Sequence, residues 1–230
     1  MRFWRIQIYY YALETKMKFD ISILESNTTI RNMVLQNISD ILNFVIDKSI
    51  PILQKEVVKM LIEALMQEPE YNSLKNGLLR SEFGIPDTSV VDDIVIKLAN
   101  TTTVTKNPLK INNFGITGGL NIVAIKSDNI SGLINDTSGM VNDSARGYSL
   151  PWLEWLLLKG NEIIVKKYSV KFGDNASSRS GNAIMVSSDK NWRVPSEFSG
   201  TPSDNWTTRA ITRIEDNILK LIQKTLESNI

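Results

Sequence analysis

The sequence predicts an α+β fold: long N-terminal helices, a small antiparallel sheet with an inserted loop and short helix, and a C-terminal helix. Three observations carry that expectation. Apolar residues recur at three- and four-residue steps near both ends of the chain, the spacing of a helix face. β-branched and glycine-punctuated runs fall in between. Strands grouped between helices, rather than alternating with them, favour antiparallel pairing.

The elements follow in order. Within residues 26–67, Ile30, Val34, Ile38, Ile41, Leu42 and Val45 share a helical stripe that Ser26 or Asn27 can cap. Pro51 lacks an N–H, so it either opens a second helix or kinks one long one. Ile52, Leu53, Val57, Met60, Leu61, Ala64 and Leu65 continue the pattern until Glu68-Pro69 ends it. Both stripes read as faces packed on the chain's own core. Residues 71–87 read as a turn-rich connector, because Gly77, Gly84 and Pro86 disfavour regular structure.

Residues 90–126 read as β. Val91, Ile94, Val95, Ile96 and Leu98 cluster, residues 101–105 are β-branched, and Gly118-Gly119 leads into a further strand. Gly115, Gly118 and Gly119 lack the Gly-Lys-Ser/Thr of a phosphate loop and read as a hairpin turn. Residues 127–148 are polar and read as a surface loop. Ser149 to Gly160 reads as a short helix holding Trp152 and Trp155, and two strands follow in residues 161–173 and 182–188. From Asp204 or Asn205 a last helix begins, with Trp206, Ala210, Ile211, Ile214, Ile218, Leu221, Ile222 and Leu226 on its buried side. The layout is an N-terminal arm over 1–25 and one domain over 26–230, with an insertion at about 127–160. Met17 opens a stretch that reads as a natural start, which makes residues 1–16 an upstream extension or arm.

Composition removes several classes of chemistry. The 230 residues contain neither cysteine nor histidine. Disulfides, thiolate or imidazole metal sites, and Ser-His-Asp or Cys-His catalysis are therefore excluded. Net charge is +1 and no basic helix is present, so nothing draws in nucleic acid strongly. No run approaches the ~20 apolar residues of a membrane helix. Carboxylate–metal chemistry remains open, with Asp92-Asp93, Glu154 and Glu197 as its candidates. Adjacent strand residues point to opposite faces, which counts against Asp92 and Asp93 as joint ligands.

Two stretches carry a resemblance. The first is the Gly-x-Leu-Arg pattern at Gly77, Leu79 and Arg80. The second runs from Ser178 through Glu197, Phe198, Gly200 and Thr201 to the Arg209-Ala210 step before the last helix. Together they resemble the tail-completion and neck (head–tail connector) proteins of tailed bacteriophages. The large 127–160 insertion departs from that pattern, as does Asn205-Trp206 where the family has Pro-Phe. The resemblance implies a structural virion protein of the neck or tail top, without enzyme activity, catalytic residues, metal or cofactor. It implies a homo-oligomeric ring of hexameric order, made in the host cytoplasm, contacting connector and tail-terminator or tube proteins while DNA passes through. A tail tube or sheath terminator is the alternative ring, and a metal-dependent carboxylate hydrolase is the alternative enzyme.

The expected interface residues are Arg179, Trp192, Arg193, Pro195, Glu197, Phe198, Trp206 and Arg209. Aromatics and arginines are enriched where subunits meet, and prolines stiffen the loop that presents them. Each has a blander reading. Trp206 starts an amphipathic helix and favours its own core, and surface arginines often remain solvated.

Overall fold

The computed structural model describes residues 26–143 and 147–229; the expected arm of residues 1–25, with the Met17 start, lies outside them. The first helix, α1 (Asn27–Gln67), has 41 residues. At 1.5 Å per residue it spans about 60 Å. The Ser26 hydroxyl accepts the Thr29 N–H at 3.1 Å and caps its start. Pro51 lies inside α1 and does not end it. Its lost hydrogen bond is offset by packing on both sides, because Val45, Ile46 and Ser49 before it and Leu53 and Val57 after it are all buried.

Short helices follow: α2 (Pro69–Asn76), α3 (Leu78–Phe83) and α4 (Ser89–Asn100). The stretch expected to be a connector is therefore largely helical. Gly84 ends α3 at φ 68, a left-handed conformation that favours glycine. The expected β character of residues 90–100 is also corrected. Val91, Ile94, Val95, Leu98 and Ala99 are all buried in α4. Their i, i+3, i+4, i+7 and i+8 spacing is a helix face, and that periodicity outweighs β-branched composition.

Strand β1 (Thr103–Asn112) pairs antiparallel with β2 (Gly115–Val123). The register shifts between Asn107 and Lys110, around Pro108, which has no N–H to give the ladder. Gly118 sits against that bulge, where a Cβ would fall 2.5 Å from the Pro108 carbonyl oxygen. The expected loop at 127–148 contains helix α5 (Ser127–Ile134), a 3₁₀ turn (Thr137–Gly139) and strand β3 (Val141–Asp143), which pairs with β4 (Tyr148–Leu150). Helix α6 (Trp152–Leu158) comes next, then the antiparallel pair β5 (Tyr168–Phe172) and β6 (Ala183–Ser187). The strand expected from residue 161 thus begins only at Tyr168. The fold is α+β, with its described β structure split into three separate two-stranded ribbons.

One apolar cluster draws on residues from Leu61 to Ile214. Phe83 lies at its aromatic centre, with ring centroids 6.3 Å from Trp152, 6.2 Å from Trp155 and 6.0 Å from Trp192. Helix α6, expected within an insertion, supplies Trp152, Leu153, Leu156 and Leu157 to this core.

The last helix, α7 (Trp206–Glu227), opens with a capping box. The Asn205 side-chain oxygen accepts the Thr207 and Thr208 N–H groups at 3.0 and 3.1 Å, and the Thr208 hydroxyl accepts the Asn205 N–H at 2.8 Å. Trp206 is fully buried and donates its indole N–H to the Leu65 carbonyl at 2.9 Å. At the far end, Asn229 donates to the Ser49 hydroxyl at 3.0 Å. Helix α7 therefore runs antiparallel along the 49–65 part of α1 and stops there. Truncating Trp206→Ala is expected to cost about 3–5 kcal/mol, and Asn205→Ala about 1 kcal/mol; denaturant unfolding of each variant measures both losses.

Candidate assembly surface and aromatic groove

The first half of α1 projects past the end of α7. Between residues 27 and 44 only Ser39 is buried. The β1–β2 ribbon lies alongside this half and is fastened to α1 within it and just beyond it. Lys106 pairs with Asp47 at 2.8 Å, Gln54 accepts the Val104 N–H at 2.8 Å, and Arg31 donates to the Asn113 carbonyl at 2.7 Å. The ribbon covers one side of the helix. Elsewhere on α1, Val34, Ile38, Ile41 and Phe44 are between 43 % and 57 % exposed. Lys48 lies 4.4 Å over the Phe44 ring and shields it only in part. The expectation that this stripe packs on the chain's own core is therefore corrected at Val34, Ile38 and Ile41, while Ile30 and Leu42 are half-buried and Val45 is buried.

The ribbon ends in a rigid turn. The Asn112 side-chain oxygen accepts the Phe114 and Gly115 N–H groups at 2.8 and 3.0 Å. Gly115 has φ 140, which side chains avoid. Phe114, held on this clamped turn, is 100 % exposed.

A second feature lies on the body. A groove of about 650 Å³ has Leu150, Trp155, Val165 and Val170 in its walls, and Glu82 and Arg179 among its polar groups. The Arg179 guanidinium packs over Gly84, where a Cβ would meet its Nε at 3.0 Å. The Glu82 Oε2 is buried without a hydrogen-bond partner among the described residues. Burial, with the nearby Glu197 charge, pushes the Glu82 carboxyl up to about 7, against a smaller downward pull from the Trp192 indole N–H. That N–H sits off hydrogen-bond geometry, so Trp192 Nε1 is itself a buried donor without a partner. The other two buried indole N–H groups are satisfied, Trp206 by Leu65 and Trp152 by the Ser138 carbonyl at 3.0 Å.

The expected interface residues divide between two places. Arg179, Trp192 and Glu197 come together around Glu82. Of these, Trp192 is a core residue, 6 % exposed, in an edge contact with Trp155 at 5.6 Å. Arg193 is exposed, Pro195 is half-buried, and Phe198 packs partly buried against the core. Gly200 fits between helices, since a Cβ there would lie 2.4 Å from the Leu156 carbonyl oxygen. Trp206 and Arg209 go elsewhere. Trp206 has no exposed surface to offer a neighbour. Arg209 ties α7 to Glu70 and to Asp204, the latter at 2.6 Å. Those bonds hold its pKa above the ordinary value despite the opposing effect of burial. Arg213 lies 2.9 Å from buried Glu68, at ion-pair distance but off hydrogen-bond geometry.

The carboxylate candidates do not converge. Asp92 and Asp93 are on helix α4, not ahead of a strand. Asp92 accepts from Lys75 at 2.7 Å and from the Tyr71 hydroxyl at 2.8 Å. Glu154 pairs loosely with Lys159 at 3.4 Å. Among the described residues no three acidic groups gather at metal-binding distance. No protein-family model, curated protein or solved structure matches the chain.

Glu82 gives a signed prediction. Unfolded, it titrates near 4.5; folded, near 7. Stability from this group is full below 4.5 and is lost as pH rises through 7. Glu82→Gln mimics the protonated form. It is expected to raise the melting temperature at pH 8 by roughly 2–4 °C and to change it little at pH 4.5, read by calorimetry at both pH values.

Proposed function

We propose that the chain is a structural subunit that assembles with copies of itself into a ring, in the manner of the phage neck and tail-completion proteins it resembles. The observation that carries this reading is the exposed apolar stripe of Val34, Ile38, Ile41 and Phe44 on the projecting half of α1, which no described element covers. Contiguous exposed apolar surface marks a contact site. The stripe stands on a helix whose ribbon-covered side is already fixed, so little ordering cost remains when a neighbour docks. The net charge of +1 offers almost no long-range repulsion between copies.

The late Glu197–Thr201 segment supports the same reading by resemblance, and its partners would be the connector above and the tail-completing proteins below. Its residues here do mainly internal work, positioning Gly200 against α6 and leading into the Asn205 cap. The assembly surface on this reading lies chiefly on the projecting arm, with the arginine-bearing loop as a secondary edge.

Sedimentation of the full chain over a concentration series tests the proposal. A discrete oligomer is expected, and Ile38→Ser with Ile41→Ser is expected to lower its mass toward the protomer. Both positions are exposed, so helix content should stay unchanged. A protomer mass at every concentration, alone and with a connector protein present, overturns the reading.

A further inference from the structure

We propose that the Phe114 turn of one copy seats in the Trp155–Tyr168–Met185 groove of the next, with Lys110 facing Glu82. This rests on the self-assembly reading and specifies a contact within it.

Two halves of the chain carry complementary defects. The turn presents a phenylalanine with no covering at all, on a backbone fixed by Asn112 and Arg31. An apolar ring held rigid in water is an anchor without a pocket. The groove is the reverse: an aromatic and aliphatic wall of Leu150, Trp155, Val165 and Val170, rimmed by Tyr168 and Met185. Phe114 does not fill its own chain's groove, since it is wholly exposed.

Charge sets the direction. The ribbon from 103 to 123 carries Lys106 and Lys110 and no acidic residue. Lys106 is taken by Asp47. Lys110 is exposed and sits two residues before Asn112, about 7 Å back along the strand from the turn. In the groove, Glu82 holds a buried oxygen without a partner, close to the like charge of Glu197. A cation brought in by a neighbour would satisfy that oxygen and relieve the repulsion, a return that an apolar occupant alone does not give. The occupant fitting both features is aromatic with a lysine behind it, which the ribbon supplies. The contact joins two different surfaces, so it is head-to-tail and closes into a ring when the rotation per subunit allows.

The chain has no cysteine, which permits a direct test. Phe114→Cys is combined with Met185→Cys in one variant and with Tyr168→Cys in a second. Phe114→Cys with Leu219→Cys, on the exposed face of α7, serves as control. A disulfide needs its Cα atoms within about 7 Å. A ladder of cross-linked species from either groove pair under mild oxidation, absent from the control, is the expected result. Alongside, Phe114→Ser should weaken association by about 10-fold or more. Lys110→Met with Glu82→Gln should weaken it no further than either single change. A wild type that oligomerises while neither groove pair cross-links, and while Phe114→Ser leaves association unchanged, overturns the turn-in-groove contact and leaves self-assembly standing. A wild type that stays a protomer throughout overturns both.

Discussion

Helix α1 is longer than the body that packs on it, and much of the structure answers to that mismatch. At about 60 Å it is twice the width of a small domain. Its 49–65 stretch is covered by α7, which is locked at one end by Trp206 beneath Leu65 and at the other by Asn229 on Ser49. Among the described elements, the preceding turns pack against the β1–β2 ribbon. A two-stranded ribbon is marginal by itself, and here it gains from the helix it leans on. Asp47, Gln54 and Arg31 hold it at three heights along α1. Helix and ribbon thus support each other as an arm, and among the described residues none covers the apolar side left over.

In the body, four buried side-chain atoms among the described residues lack hydrogen-bond partners: Glu68 Oε1, Glu70 Oε2, Glu82 Oε2 and Trp192 Nε1. Buried Glu68 and Glu70 face two arginines of α7, and Asn205 satisfies the first N–H groups of that helix. Leaving a buried polar atom without a partner costs about 1–3 kcal/mol. Structures rarely retain such atoms beside one another without cause. Glu82 Oε2 and Trp192 Nε1 lie close together and both lack partners, next to the groove wall formed by Trp155. Phe83, which follows Glu82, anchors the three tryptophans. The packing of Phe83 therefore holds the Glu82 backbone at the edge of this cluster.

The fold class, α7 and the hairpin near Gly115 were legible in the sequence because strong periodicity and glycine punctuation set them. Helix α4 was not, since Val91, Ile94 and Val95 suit a strand by composition and only their spacing argues for helix. Helices α2 and α3 were hidden by Gly77 and Gly84, which here separate and cap helices instead of marking an extended connector. The aromatic core was half legible: Trp206 announced its burial through the amphipathic helix it starts, whereas Trp192 gave no sign because its neighbours Asn191 and Arg193 are polar. The exposed stripe was invisible in principle. Val34, Ile38 and Ile41 have the pattern of any core-facing helix, and sequence periodicity says that a face is apolar without saying which molecule covers it. Glu82 had no local signature either, because its raised pKa arises from burial in the folded body, with a lesser contribution from the Glu197 charge more than a hundred residues away.

The separation of arm and groove along one chain has a geometric consequence. A self-complementary patch would pair two copies about a twofold axis and stop there. A projecting element and a distinct receptor surface leave each bound copy with one of each still free, so association continues until a ring closes or a filament grows. Which of these follows depends on whether the angle between arm and groove is fixed. The three fastenings along α1, and the continuous buried face that carries the helix through Pro51, make the arm a rigid extension of the body rather than a tether. Rigidity of that kind is what a closed ring requires.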